Sequence, residues 1–221
     1  MTELKPELLL QAYAVGVFPM AETRDDSRLF FVDPDHRGIL PLDDFHIPRR
    51  LARTLRQGKF TIRYNHDFAS VLQLCAEAAP DRPNTWINLE IERLYNVLHE
   101  RGQCHSVECW QEGKLVGGLY GVALGGAFFG ESMFSRARDA SKIALCHLVA
   151  RLRAGGFVLL DTQFITDHLA QFGTIEVARP VYKQQLQAAI STAASFFPEN
   201  YPEDGDWALV SGFLQSTSQT S

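Results

Sequence analysis

A chain of 221 residues, 46% hydrophobic and 21% charged, has material for one large domain or one plus a small appendage, and a net charge of −5 excludes a coat of basic surface. Four cysteines without a C-x-x-C pair or zinc-ligand spacing predict buried thiols in a reducing compartment and no metal site. No apolar leader is expected, because Glu3 and Lys5 stand near the start, and the uncharged run 115–130 falls short of the roughly 20 apolar residues of a spanning helix, so a cytoplasmic protein without a membrane partner is expected.

The pattern predicts a first helix over 2–15, carrying Leu8, Leu9, Leu10, Ala12 and Tyr13 and ended by Gly16. A loop-rich span follows, punctuated by Phe18-Pro19 and Asp33-Pro34-Asp35, so residues 1–36 read as a small N-terminal domain and 37–221 as the main one. Pro48 opens a helix; a strand is expected over 60–64, a helix over 67–79 ending before Pro80, and another over 88–101 closed by Gly102. Strands 105–111, 114–124 and 127–134, joined at Glu112-Gly113 and Gly125-Gly126, form an antiparallel meander. Asp139 or Ser141 can cap the next helix, whose Ile143, Ala144, Leu148, Val149 and Leu152 face the core. The apolar strand 157–164 then follows a helical crossover and is expected to pair in parallel within a mixed sheet. Helices 166–172 and 181–190 flank a strand over 174–178, and the polar residues 215–221 are expected to fray. A meander, a helix and a further strand is the order of the N-acetyltransferase fold, so an α+β, acetyltransferase-like mixed sheet flanked by helices is expected.

No acid interrupts the window from Phe45 to His66, which holds Arg49, Arg50, Arg53, Arg56, Lys59 and Arg63. On a helix, Arg49, Arg53 and Arg56 share one face suited to phosphate oxygens; a merely solvated face is the alternative.

Asp161 and Gln163 stand two apart on a strand, which directs both side chains to one face. A carboxylate there can orient and polarise the amide or accept a proton, while the amide bonds a substrate amine or carbonyl; a strand-end acid capping the next turn is the alternative. Glu131 follows Gly130 on the preceding strand and can meet this pair across the sheet.

The ordered set Tyr13-Ala14-Val15-Gly16-Val17-Phe18-Pro19, Arg37-Gly38-Ile39-Leu40, Thr85-Trp86-Ile87, His105-Ser106-Val107-Glu108, the block from Leu115 to Val122, the block from Gly130 to Ser135, Ala140-Ser141-Lys142 and Asp161-Thr162-Gln163 resembles the leucyl/phenylalanyl-tRNA–protein transferases. Asp167-His168-Leu169, Gly173, Arg179 and Tyr182 extend the likeness, which runs from about Ala12 to Tyr182. The resemblance implies a cytoplasmic, monomeric, cofactor-free enzyme that moves Leu or Phe, and less well Met, from aminoacyl-tRNA to proteins beginning with Arg or Lys, marking them for N-degron degradation.

It further implies Asp161, Gln163 and Glu131 as catalytic residues, with Glu131 expected to attract either the acceptor's cationic side chain or the α-ammonium of the donated residue. By spacing alone Trp86, Leu119, Phe128, Met133, Leu148 and Leu152 read more often as core than as pocket; the resemblance implies that they line the donor side-chain pocket and that the basic window contacts tRNA phosphates. Met20 and Phe30-Phe31 stand where the family often has Trp, and Leu148 and Leu152 are smaller than the aromatics expected there. Three rival readings are the same reaction with other acceptors, an acyl-CoA N-acyltransferase, and a non-catalytic tRNA-binding protein. The absence of glycine from 134–142 speaks against a pyrophosphate loop of the acyl-CoA type.

Overall fold

A computed structural model describes residues 4–26, 28–78, 84–199, 201–202 and 205–219, without the side chains of 215–219. The N-terminal helix α1 (Pro6–Ala14) leads into a two-stranded antiparallel sheet of β1 (Phe18–Met20) and β2 (Phe30–Val32). The remaining strands form one seven-stranded sheet: β3 (His36–Ile39), β4 (Thr61–Tyr64), β5 (Cys104–Gln111), β6 (Lys114–Leu124), β7 (Ala127–Ser135), β8 (Leu159–Gln163) and β9 (Ile175–Ala178), in the order β4-β5-β6-β7-β8-β3-β9. The helices are α2 (Arg49–Arg56), α3 (Phe68–Ala76), α4 (Leu89–Glu100), α5 (Ala140–Ala154), α6 (Asp167–Ala170), α7 (Arg179–Ile190) and α8 (Gly205–Gln219).

The period-2 alternation of the central strands divides the core into two layers. Leu119, Phe128 and Leu160 join α2, α5 and α8 on one face, whereas Tyr120, Val122, Phe129 and Leu159 join α1, α3, α4 and α7 on the other. Leu9, Tyr13 and Phe18 of the N-terminal elements enter this second layer. All four cysteines are buried free thiols, as their spacing implied. No helix among the described residues is long and apolar enough to cross a membrane.

The meander, the crossover helix and a parallel β7–β8 pair agree with the sequence pattern. That parallel pairing runs only from Ala127–Leu159 to Phe129–Asp161, although β7 continues to Ser135 and β8 to Gln163. The opening between them is where the cavity lies.

Several expectations change. Strands β1, β2 and β3 replace part of the loop-rich span, and helix α8 occupies 205–219, so 215–219 are helical where fraying was expected. Residues 220–221 lie outside the described ones, as do the predicted helix ends at 2–3 and at 79, with Pro80 beyond it. Asp139 precedes α5 at φ 67° but forms no side-chain cap; its carboxylate accepts instead from Thr54 Oγ1 at 3.4 Å.

Candidate active site

A cavity of about 750 Å³ opens between the diverging ends of β7 and β8. Its wall takes Gly130, Glu131 and Met133 from β7, Thr162 and Gln163 from β8, Leu145 and Leu148 from α5, Phe18 and Met20 from β1, and Trp86 from the segment before α4.

Asp161 is completely buried on the strand beneath this wall. Arg37 of β3 donates Nε to Oδ1 at 2.9 Å and Nη2 to Oδ2 at 2.7 Å. Its third nitrogen, Nη1, reaches the Gly16 carbonyl at 3.0 Å, and the guanidinium lies 4.5 Å from the Phe18 ring centroid and 4.6 Å from that of Tyr182. The Tyr182 hydroxyl donates to Asp161 Oδ2. Burial works against the Arg37 cation, but the Asp161 charge and hydrogen bonds outweigh it, and the guanidinium stands above its ordinary pKa. A buried carboxylate satisfied by a fork of donors is what low dielectric demands.

Asp161 does reach Gln163, but through the backbone: Oδ1 accepts the Gln163 N–H at 2.8 Å. Gln163 has φ 59°, in the left-handed region that non-glycine residues enter at a cost, so the strict alternation of a strand fails at this residue. The turn is possible because β3 comes close with Gly38; a Cβ there would sit 2.6 Å from the Phe164 carbonyl carbon. Held this way, Gln163 lines the cavity, and its Nε2 is buried with no hydrogen-bond partner among the described residues. Thr162 Oγ1 and His168 Nε2 are likewise buried without partners and belong to cavity-lining residues.

Glu131 occupies the opposite wall, half-buried. Tyr13 of α1 donates to its Oε1 at 2.7 Å and Tyr95 of α4 to its Oε2 at 2.9 Å. Burial pushes the carboxyl up to about 7 against the pull of these two phenols, with Asp161 adding to the rise and Arg37 opposing it.

Of the six residues expected around a donor side chain, Trp86, Leu119, Met133 and Leu148 line the cavity. Phe128 and Leu152 do not: both are fully buried in the layer under α5, Phe128 against the rings of Phe157 and Phe196. They share a face with the lining residues but lie at a different depth along it. Met20 contributes to the wall, whereas Phe30 and Phe31 are exposed and do not.

Arg49, Arg50, Arg53 and Arg56 are exposed because α2 turns Leu51, Ala52 and Leu55 inward, and Lys59 after the helix and Arg63 of β4 are exposed as well. Arg56 also donates to the Leu214 carbonyl at 3.1 Å, and Arg63 stands over the Trp110 ring at 5.2 Å. Sequence reasoning left Arg37, Tyr182, Tyr13 and Tyr95 without a role, although all four hold the site's acids. Arg37, Tyr182 and Tyr13 lie in segments that carry the family likeness, which was the available signal.

Comparison with known proteins bears on this arrangement. The family profile described as leucyl/phenylalanyl-tRNA protein transferase matches residues 39–187, and the profile of the corresponding N-terminal domain matches 2–35. The chain is 60% identical over 210 residues to the leucyl/phenylalanyl-tRNA–protein transferase of Paramagnetospirillum magneticum (strain ATCC 700264 / AMB-1), covering 95% of this chain and 100% of that one. It is 58% identical over 211 residues to the protein of the same name from Rhodopseudomonas palustris (strain TIE-1), covering 95% and 94%. Among solved structures, L-PGS from Bacillus licheniformis is 12% identical with a TM-score of 0.41, covering 99% of this chain and 72% of that one, a likeness too loose to assign a fold.

Proposed function

Since this chain belongs to the leucyl/phenylalanyl-tRNA–protein transferase family, and is thus an aminoacyltransferase working from aminoacyl-tRNA to protein, we propose that it transfers Leu or Phe, and less well Met, to the N-terminal α-amine of proteins beginning with Arg or Lys. The observation that carries this reading is the buried Nε2 of Gln163 on the cavity wall, which has no hydrogen-bond partner among the described residues. An unmet buried donor costs about 1–3 kcal/mol, a cost that a bound carbonyl oxygen removes.

The aminoacyl ester is already activated, and a protein α-amine, with a pKa of about 7.7–8.0, is partly a free nucleophile at neutral pH. Most of the acceleration then comes from positioning and from a donor aimed at the carbonyl oxygen as it gains charge. Gln163 supplies that donor. Asp161 holds Gln163 by its backbone N–H, and Arg37 and Tyr182 hold Asp161. Trp86, Leu119, Met133 and Leu148 receive the donated side chain. A flexible apolar surface suits Leu, Phe and Met, while β-branched residues meet it at Cβ.

The exposed cations from Arg49 to Arg63 contact the phosphate backbone of the tRNA. In this reading the residues 1–36 form a small N-terminal domain against an acetyltransferase-like domain of 37–221, and the enzyme acts in the cytoplasm as a monomer, producing N-termini that N-degron machinery reads. The test is direct. Leucyl-tRNA carrying labelled leucine is incubated with the protein and peptides starting with Lys, Arg, Asp or Ala; label on the Lys and Arg peptides is expected, and label on none of the four overturns the proposal.

A further inference from the structure

We propose that Glu131, and not Asp161, relays the proton of the transfer: its carboxylate takes the proton that the acceptor α-amine loses and passes it to the departing ribose oxygen. This rests on the transferase reading above and assigns a step within it.

The two acids differ in what remains open on each. On Asp161, Oδ1 accepts from Arg37 Nε and from the Gln163 N–H, and Oδ2 accepts from Arg37 Nη2 and from the Tyr182 hydroxyl. It has no exposed surface and does not line the cavity. A substrate proton cannot reach it without breaking the buried ion pair. Glu131 lines the cavity, and each of its oxygens accepts one phenol, leaving a lone pair on each for a substrate. By the parallel register Phe129–Asp161, Glu131 and Gln163 are the next residues across the gap between β7 and β8, so the two line the cavity from facing strands.

The groups facing Glu131 come from several elements: Tyr13 of α1, Tyr95 of α4, Tyr120 of β6 and Cys104 of β5, with Asp161 and Arg37 acting from beyond the wall. Burial first, and then the Glu131 charge, raises Tyr13 and Tyr95 well above the ordinary value of 10, so both stay phenols that donate. Their hydroxyl oxygens stand 2.5 Å apart, so either phenol can donate to the other when the carboxyl is protonated. This arrangement accommodates both protonation states with little motion. A carboxyl pushed up to about 7 is also matched to an amine that titrates near 7.7–8.0, where proton transfer is most effective.

The step balances. The amine lone pair attacks the ester carbonyl carbon and forms the C–N bond, with the carbonyl oxygen gaining charge beside Gln163. Glu131 removes the proton from nitrogen, the carbonyl re-forms, and the bond to the ribose oxygen breaks as that oxygen takes the proton from Glu131. An ester and an amine become an amide and an alcohol, and Glu131 ends as it began. Tyr13 and Tyr95 act as positioning residues.

The experiment is steady-state transfer from leucyl-tRNA to a Lys-starting peptide, followed as kcat and as KM for each substrate across about pH 5.5–9 by the full chain, its Glu131→Gln variant and its Tyr95→Phe variant, a range from about one and a half units below the carboxyl value to about one unit above the amine value. Glu131→Gln keeps the shape and the acceptor oxygen; kcat is expected to fall about 10²-fold or more, with the acidic limb of its profile reduced to that of the amine alone and the KM for leucyl-tRNA unchanged. Tyr95→Phe removes one donor to the carboxylate, and the acidic limb is expected to move to higher pH with turnover kept at alkaline pH. Glu131→Gln raising only the KM of the peptide, with kcat and the limb intact, overturns the proposal and leaves Glu131 as a cation holder. If Glu131→Gln does not fold, Tyr95→Phe decides, and an unmoved limb overturns the proposal. An unmodified chain that transfers to no peptide instead overturns the transferase reading beneath it.

Discussion

Arg37 of β3 and Asp161 of β8 form an ion pair 2.7 Å long that is shut away from solvent, with 1% of one side chain and none of the other exposed. Two strands adjacent in the sheet but 124 residues apart in sequence are thereby locked at the point where β8 turns toward the cavity. Gln163 takes its position from this lock.

Breaking the pair from either side leaves an uncompensated buried charge, which costs about 3–5 kcal/mol. Arg37→Met and Asp161→Ala are each expected to lose that much in urea unfolding, whereas the double variant loses less than the sum. Asp161→Asn is expected to lower turnover far more than tRNA binding. Equal losses of the two would make Asp161 purely structural.

Gly38→Ala tests the close approach under the Gln163 turn. The added Cβ would stand 2.6 Å from backbone of Phe164, which has no flexible end to yield. A loss of roughly 1–3 kcal/mol is expected, with turnover falling as Gln163 shifts. Thermal unfolding and transfer rate, measured on one preparation, check it.

The cavity proposed for the donated side chain can be narrowed from α5. Leu148 lines the cavity from the helix, and Leu148→Phe puts a ring where the donated side chain would lie. Transfer of phenylalanine is expected to fall relative to leucine by about 10-fold or more, in line with the 1–3 kcal/mol that pocket shape commands. The same change at Leu152, which is buried away from the cavity, is expected to lower stability and to leave the ratio unmoved. Competition between the two charged tRNAs measures it.

The basic face predicts a salt dependence. Arg50 and Arg53 are exposed on α2, and each phosphate contact removed lowers the slope of log affinity against log salt by about 1. Arg50→Ala with Arg53→Ala is expected to flatten that slope by about 2 for aminoacyl-tRNA. An unchanged slope in filter binding removes α2 from the interface.

Glu131 gives stability a pH dependence of defined sign. Its carboxyl is raised in the fold from 4.5 to about 7, so between those values the folded chain holds a proton that the unfolded chain has lost. Stability from this residue is therefore full below about 4.5 and declines as pH rises through 7, by on the order of 3 kcal/mol. Glu131→Gln is expected to gain on the unmodified chain as pH is raised from 5 to 8, and paired urea titrations at the two values check it.

Much of this was legible in the residues. Period-3.6 and period-2 patterns with Gly and Pro boundaries locate α1 to α5, the meander and β8 within a few residues, because each buries one face and those faces repeat locally. The short strands β1 and β2 were not legible: three residues each, one containing Pro19, make no period. Nor was β3, whose His-Arg-Gly-Ile reads as loop until Asp161 is there to receive the arginine. Helix α8 begins at glycine and ends in Ser, Thr and Gln, and it packs on α5 through Val210, Phe213 and Leu214, aided by Asp206 pairing with Arg151. Phe128 and Leu152 lie in the core, as their spacing alone favours, and not on the cavity wall that the resemblance implies, since neither periodicity nor likeness carries distance along an element.

By itself the sequence determined the family, the order of most elements, the basic helix, and the strands that carry Glu131, Asp161 and Gln163. It assigned Asp161 to Gln163 or a proton and Glu131 to a cation, but it could not tell which of the two acids is open to a substrate. The tertiary structure decided that Asp161 is sealed and Glu131 is open. The physical reason is that a carboxylate's role follows from what fills its lone pairs, and here those partners are remote in sequence: Arg37, 124 residues away on the adjacent strand, to Asp161, and Tyr13, 118 residues away, to Glu131.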